Sequence, residues 1–190
     1  MAKDILKFFE DNNALLTGHF KLSSGLHSDK YLQCALVLQY PKTLEELATQ
    51  LVVSLRQIKI DTVVSPAIGG IVIGQEVARL LGKRAIFTER KGGNKMELRR
   101  GFKFKKGERC LVIEDVITTG GSTREVIDII KSAGGEVVAV GAIVDRSGQD
   151  ISFGVPKEVL LKLDVKTHQP EDCPLCKKGL EITSPGSRIK

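Results

Sequence analysis

An α/β protein, with a central, mostly parallel sheet flanked by helices, is the expectation from three features of the sequence. From residue 62 onward, short β-branched runs alternate with amphipathic helical stretches, the order that parallel strands and right-handed crossovers need. Unusual polar and glycine-bearing sequence gathers just after those runs, at 67–70, 89–100, 114–122 and 145–148. Ligands of parallel sheets lie beyond the carboxyl ends of the strands, so this clustering predicts a site as well as a fold. The 190 residues are 42% hydrophobic and 27% charged, which suits one globular domain with a real core.

Taken in order, residues 3–11 form an amphipathic helix whose apolar side is Ile5, Leu6, Phe8 and Phe9, stopped at Asn12 and Asn13. Residues 15–40, polar and glycine-punctuated and then alternating, predict short strands and a loop. Leu44, Leu47, Leu51 and Leu55, spaced three and four apart, predict a helix over 43–58. A strand at 62–65 ends at Pro66 and the turn AIGG (67–70), followed by a helix over 71–81. A second strand covers 84–88. The stretch 89–106 is basic and carries no helical stripe. A third strand, 110–113, ends at Glu114 and Asp115 and the turn TTGGS (118–122). The helix over 123–132 then stops at Gly134 and Gly135. A fourth strand, 137–144, ends at Asp145 and Arg146, and an irregular annex begins at Lys166.

Composition excludes several classes of function. The net charge of +6 allows anionic ligands, but no helix-turn-helix or aromatic RNA platform is legible, so no nucleic-acid partner is expected. Aromatic residues are 5% and Trp is absent, which argues against a stacking surface for single strands. The longest apolar stretches fall far short of the roughly 20 residues that span a bilayer, so no membrane association is expected. Acidic residues interrupt the N-terminal segment where an export signal would be apolar, and four cysteines are too few for a disulfide scaffold. The expected location is the cytoplasm.

The strongest local signal is LVIEDVITTGGST (111–123). A buried strand delivers two acids, then small hydroxyl and glycine residues open a helix. Glycines let backbone N–H groups turn toward an anion, and the helix start adds partial positive charge. Thr118, Thr119, Ser122 and Thr123 add hydroxyl donors, so the turn reads as a cradle for one phosphate. No Gly-Lys-Ser/Thr follows, so it is not a Walker loop. Two carboxylates beside a phosphate need partners of their own, which a sugar's vicinal hydroxyls or a Mg²⁺ carried by the ligand would supply.

With Cys110 before it, this string resembles the phosphoribosyl pyrophosphate motif of the type I phosphoribosyltransferases: four apolar residues, two acids, two apolar residues and a Thr/Gly turn. The resemblance implies that family's fold, with a small hood over the sheet. The chain is then a single domain of residues 1–190, the hood from about 1–40 and 160–190 and the core from about 41–159. By the same resemblance Glu114 and Asp115 meet the ribose hydroxyls, and the stretch Val116, Ile117, Thr118, Thr119, Gly120, Gly121 and Ser122 completes the phosphoribosyl pyrophosphate site.

Three further segments are similar to the orotate phosphoribosyltransferase branch. GHFKLSSGLHSDKY (18–31) looks like its N-terminal signature, in which a Ser-Gly turn begins the hood. Asp145-Arg146 matches its Asp-Arg, whose arginine binds the orotate carboxylate as a planar bidentate donor, with Thr118 also at the base. ERK (89–91) opens the basic segment where that family carries a mobile catalytic loop. The resemblance implies Arg90, Lys91 and Lys95 as catalytic residues, Mg²⁺ held mainly by substrate and not by protein ligands, and a homodimer whose loop reaches the neighbouring site. The implied reaction joins orotate to phosphoribosyl pyrophosphate, giving orotidine 5′-monophosphate and pyrophosphate in pyrimidine biosynthesis. The chain departs from the better-known members at Ser23 and Gly69, where they carry lysines, and has no histidine between 89 and 107. Lys30, Lys95, Arg99 and Arg100 are the cations available to replace that charge.

Arg146 also has a plainer reading as the ion-pair partner of Asp145, and the charge run 91–106 as a solvated β-hairpin. His19 and His27 read as polar residues of the hood or its turn, and His168 as a surface residue. Cys173 and Cys176 form a single CxxC. A zinc ribbon needs two such pairs, and Cys34 and Cys110 sit in the wrong context to complete one. A structural tail is the first reading of that pair, with metal binding and a redox pair as alternatives.

Overall fold

The computed structural model describes residues 5–22, 25–92, 95–163 and 165–185. In chain order the elements are α1 (Ile5–Asp11), β1 (Leu15–Lys21), β2 (His27–Leu32), α2 (Cys34–Leu38), α3 (Pro41–Ser54), β3 (Thr62–Pro66), α4 (Gly69–Leu81) and β4 (Arg84–Lys91). They continue with β5 (Lys95–Leu98), β6 (Arg109–Ile117), α5 (Gly121–Ser132), β7 (Glu136–Asp145), β8 (Lys157–Lys162), β9 (Thr167–His168), a 3₁₀ turn (Pro170–Asp172) and α6 (Pro174–Lys177). The first residues of the expected N-terminal helix, Ser23 and Ser24 of the signature string, the side chain of Lys91 and the last residues of the tail lie outside the described residues.

Six strands form the main sheet in the order β5-β4-β3-β6-β7-β8, parallel throughout except for the β4–β5 pair. This is the mostly parallel sheet that the alternating pattern predicts. Because β3 and β6 are neighbours, the crossovers through α4 and α5 run outward in opposite directions. The strand order therefore reverses between β3 and β6, and the carboxyl ends of those two strands open onto a crevice.

Each face of the sheet has its own core. On one side α1, α2, α3 and α4 contribute Phe9, Val37, Leu47, Leu51, Ile73 and Val77 to a cluster with Val63, Leu111, Ile113 and Ile143. On the other, α5 buries Val126, Ile127 and Ile130 against Val64, Val112, Val140 and Phe153. Two-sided burial explains why the central strands read as continuous apolar runs and not as alternating ones. Phe9, Leu47 and Leu51 are fully buried, and truncating a side chain of this kind to Ala costs about 2–5 kcal/mol.

The third strand departs from the sequence expectation. It does not stop at the acids but runs on to Ile117, with Glu114 opposite Ala142, Val116 opposite Val144 and Ile117 opposite Asp145. The β-branched Val116 and Ile117 keep the backbone extended, so the ladder carries the acids inside the sheet. Two elements were not legible, the short helix α2 and the edge strand β8. The plainer reading of the basic segment as a β-hairpin is met at its start, where β5 pairs antiparallel with β4. The annex is also less irregular than expected. Its β9 pairs with β2, with His27 opposite His168.

A second, three-stranded sheet, β1-β2-β9, is assembled from both ends of the chain. Thr183 bridges to Phe20: the Lys21 N–H donates to the Thr183 carbonyl at 2.8 Å, and the Thr183 N–H donates to the His19 carbonyl at 2.9 Å. Ser28 Oγ donates to the Lys166 carbonyl at 3.0 Å.

Charged groups at the amino ends of the main strands are paired. Arg109 makes a fork on Asp61, with contacts of 2.7 and 2.8 Å, and holds that carboxyl well below the usual carboxylate range. Arg84 spans Glu108 and the Thr62 hydroxyl, and that hydroxyl in turn donates to Glu108. The carboxyl ends look different, and the candidate site is there.

Candidate active site

Glu114 and Asp115 are held by the last turns of the β6 ladder, facing the turn that begins α4. A Cβ at Gly69 would collide with the Asp115 carboxylate, and one at Gly70 would lie 3.1 Å from Glu114 Oε2 and 3.0 Å from the Ile113 carbonyl. The AIGG turn, which contains a cis Ala67–Ile68 peptide, and the acid pair thus close on one another across the β3–β6 crevice. Glycine at 69 is a matter of space: the backbone approaches the carboxylate too closely for any side chain.

Burial, and then the neighbouring Asp115 charge, push the Glu114 carboxyl well above its ordinary range. Asp115 is raised as well, by burial, against the opposing pull of the Val116 N–H, its own N–H and Arg146. Two carboxyls that resist ionisation, side by side, form a receptor for hydroxyl donors or a cation.

Beyond the acids, Thr118 and Thr119 lead into Gly120, which has φ +74° and caps α5. A Cβ there would lie 3.1 Å from the Phe153 ring as well as demanding the left-handed conformation. The first-turn N–H groups of α5 have no acceptors within the helix and face the turn. The string 111–123 thus folds as a strand, a glycine turn and a helix start, the form expected of a phosphate cradle.

Arg146 lies one residue past β7, its N–H donating to the Ile117 carbonyl at 2.9 Å. Its guanidinium stands 5.7 Å from the Tyr31 ring centre, and Nε and Nη1 are buried with no hydrogen-bond partner among the described residues. Burial lowers its pKa, opposed by Tyr31, Cys34 and Asp115, but a guanidinium stays charged. The plainer reading of Arg146 as the Asp145 partner does not hold. Asp145 accepts from the Ser147 N–H at 2.9 Å and from Lys157 Nζ at 3.2 Å. Those bonds outweigh its burial and keep it below the ordinary carboxylate range. Arg146, Thr118, Thr119, Leu22, Leu26 and Lys166 help to line a cleft of about 230 Å³ between the main sheet and the small one.

The basic segment is close by but engaged. Arg90, near the end of β4, makes two hydrogen bonds to Glu125 of α5, at 2.8 and 2.9 Å. Arg100 makes two bonds to Glu89, and Arg99 lies 3.5 Å from the same carboxylate. Lys95 is exposed on β5, opposite Lys91 in the hairpin register. Lys30 is half-buried on β2. Of the cations available to replace the missing lysines, Arg99 and Arg100 are thus committed to Glu89.

The structure corrects one reading. His19, His27, Cys173 and Cys176, which the sequence suggests are hood polar residues and a tail pair, converge so that their ligand atoms all lie within 4.8 Å of one another. Of the readings open for Cys173 and Cys176, this convergence favours metal binding over a purely structural tail. The signal available in the sequence was the joint presence of CxxC and two histidines eight residues apart. It was missed because the two pairs lie about 150 residues apart.

An α/β sheet with a reversal between β3 and β6, an acid pair on the strand and a glycine turn capping the next helix defines a phosphoribosyltransferase domain. The family model described as "Phosphoribosyl transferase domain" matches residues 37–152. Two full-length relatives, the orotate phosphoribosyltransferases of Caldanaerobacter subterraneus subsp. tengcongensis and Caldicellulosiruptor bescii, are each 54% identical. They align over 97% and 100% of this chain and 96% and 100% of their own length. The chain belongs to the orotate phosphoribosyltransferase family. Among solved structures, the orotate phosphoribosyltransferase of Aeropyrum pernix superposes with a TM-score of 0.71 at 25% identity, covering 84% of this chain and 94% of that one. The UMP synthase of Leishmania donovani superposes at 0.72 with 26% identity over 84% of this chain and 36% of that longer one. Among the described residues no helix is long and apolar enough to cross a membrane.

Proposed function

We propose that the protein transfers the phosphoribosyl group of phosphoribosyl pyrophosphate to orotate, releasing pyrophosphate, with the β3–β6 crevice holding the sugar and the Arg146 cleft holding the base. The observation that carries this reading is the buried guanidinium of Arg146, with two donors unmet beside a cleft large enough for a pyrimidine ring. A carboxylate is the acceptor whose shape matches a guanidinium edge. The β1-β2-β9 sheet serves as the hood over that base.

In this reading the Thr118–Thr119 turn and the start of α5 receive the 5′-phosphate, and Glu114 and Asp115 accept hydrogen bonds from the ribose hydroxyls. As the C1–O bond to pyrophosphate breaks, positive charge grows on the sugar, and the adjacent acids favour it. The orotate ring nitrogen, held in line by Arg146, attacks C1, and no covalent enzyme intermediate is needed. Arg90, Lys91 and Lys95 stabilise charge on the leaving pyrophosphate, Arg90 exchanging its Glu125 partner for the anion as the loop closes.

The acid pair fits a divalent cation, because both carboxyls are buried against one turn and hard to ionise without a positive neighbour. Glu114 and Asp115 would receive Mg²⁺ through the ribose hydroxyls, the ion itself being chelated mainly by substrate. When bound, Mg²⁺ supplies charge neutralisation at the pyrophosphate. The family resemblance further suggests a homodimer in which the β4–β5 hairpin serves the neighbouring site, in a reducing cytoplasm.

The direct test follows orotate absorbance in the presence of phosphoribosyl pyrophosphate and Mg²⁺. Loss of the orotate signal that requires all three components is expected. A flat trace, with stabilisation of the protein by adenine or guanine and none by orotate, would sink the assignment.

A further inference from the structure

We propose that His19, His27, Cys173 and Cys176 form a tetrahedral zinc site that fastens the C-terminal segment to the β1–β2 hairpin. The four side chains take no part in the proposed transfer, and the site stands whether or not the small sheet serves as the hood over a base.

The distances between the four donor atoms match the edges of a zinc tetrahedron. His19 Nε2 lies 3.1 Å from His27 Nδ1, 3.6 Å from Cys173 Sγ and 3.6 Å from Cys176 Sγ, and Cys176 Sγ lies 3.3 Å from His27 Nδ1. With Zn–N near 2.0–2.1 Å and Zn–S near 2.3 Å, a tetrahedron has N···N edges of about 3.4 Å and N···S edges of about 3.5 Å. Four of the six edges thus match to within a few tenths of an ångström, and the remaining two, both from Cys173 Sγ, lie within 4.8 Å.

Hydrogen bonding fixes the chemistry of the histidine. His19 Nδ1 lies 2.8 Å from the Leu180 carbonyl, which can only accept, so Nδ1 carries the proton. In the neutral ring Nε2 then presents its lone pair to the other three donor atoms, the outer-sphere arrangement typical of a metal-bound imidazole. The cysteines are equally well arranged. Cys173 precedes the single turn α6, where the Lys177 N–H donates to the Cys173 carbonyl at 3.1 Å. The Gly179 N–H then donates to the Cys176 carbonyl at 2.9 Å. The turn thereby brings both sulfurs to one side, as a CxxC requires for a common ion.

Charge and burial select the ion. Two thiolates and two neutral imidazoles bring a charge of −2, which a divalent ion cancels, so the neutral complex can sit among buried groups. His19, His27 and Cys173 are all buried, while Cys176 closes the solvent side. Mixed sulfur and imidazole donors in a closed four-coordinate set favour zinc over magnesium or calcium. The four positions are filled by the chain, leaving none for substrate, so the site is structural.

The site also accounts for how the small sheet holds together. A two-stranded hairpin is marginal alone, and β9 adds only two residues to it. A metal shared by β1, β2 and the α6 turn cross-links the pieces that line one wall of the base cleft, including Leu22, Leu26 and Lys166.

The test begins with full-length protein purified without chelators and without added metal. Elemental analysis is expected to find about one zinc per chain, released together with two titratable thiols by a mercurial reagent. Replacing the zinc with Co²⁺ should give the intense visible bands of a four-coordinate ion and a sulfur-to-cobalt charge-transfer band. Cys176→Ser should weaken the charge-transfer band, and His27→Ala should shift the visible bands. Should either variant fail to fold, the wild-type cobalt spectrum still decides. Stripping the zinc should lower the melting midpoint by about 5 °C or more. Wild-type protein from zinc-supplemented cells that holds no zinc and gives no cobalt bands would overturn the proposal. So would an intact mass showing Cys173 and Cys176 joined as a disulfide in freshly isolated protein. Orotate turnover is scored separately, so the loss of one conclusion leaves the other standing.

Discussion

Arg146 carries more of the specificity argument than any other side chain, because its neighbours leave Nε and Nη1 buried and unmet while Lys157 and Ser147 satisfy Asp145. A hydrogen bond to a charged group is worth about 1.5–3 kcal/mol, so Arg146→Ala should raise the KM for orotate by about 100-fold. The KM for phosphoribosyl pyrophosphate should stay near its wild-type value, and steady-state kinetics with each substrate varied in turn reads the difference. An equal rise in both constants would remove Arg146 from the base site. Glu114 makes a different prediction. Its carboxyl is raised by burial, so its contribution to stability is fully present below about pH 4.3, the ordinary Glu value, and is lost as pH rises through the folded value. Glu114→Gln cannot ionise and escapes that loss. The melting midpoint of the variant relative to wild type, both without ligand, should therefore climb as pH is raised from 4 toward neutrality in calorimetric scans. A constant offset would mean that Glu114 titrates as an ordinary surface acid.

The turn between β6 and α5 shows how much the sequence makes legible and where it stops. The string 111–123 made the strand, the acids and the glycine turn readable, because each residue type has a local reason to be there. The end of the strand was not readable: Glu114 and Asp115 look like a break, yet cross-strand pairing with β7 overrides their weak strand preference. Likewise α2 is too short for a periodic signal, and β8 is an edge strand recognisable only from its partner. Gly120 is the residue on which the turn depends, being at φ +74° and against the Phe153 ring. Gly120→Ala should destabilise the protein by about 1–2 kcal/mol through the left-handed backbone penalty. It should also depress turnover beyond what the lost stability explains, because the first α5 amides move with the turn. Chemical denaturation and activity measured at a temperature where the variant is fully folded separate the two effects; full activity in the folded variant would detach the cradle from catalysis.

The two sheets pose the question of how far one chain suffices. Arg90 is paired with Glu125 of its own chain, whereas the family resemblance points to a loop that serves the neighbour. Coexpressing Arg90→Ala with Asp115→Asn decides this, since a mixed dimer with loops acting across the interface regains one intact site. About a quarter of wild-type activity should then return from random pairing of the two inactive variants. No recovery would assign the loop to its own subunit. The alternation of strands and helices from residue 62 onward was readable because it follows from local periodicity, whereas the order of the strands in the sheets was not. The four-residue cluster was not, because His19 and Cys173 are 154 positions apart and only the folded β1-β2-β9 sheet unites them.

That union has a temporal side. A chain still under synthesis, with the residues beyond Lys162 not yet emerged, can complete the six-stranded body and its phosphate turn but possesses only an unsupported hairpin over the cleft. Such a nascent polypeptide should engage ribose phosphates before it can retain a pyrimidine, so substrate selectivity would be the last property the molecule acquires as it emerges from the ribosome.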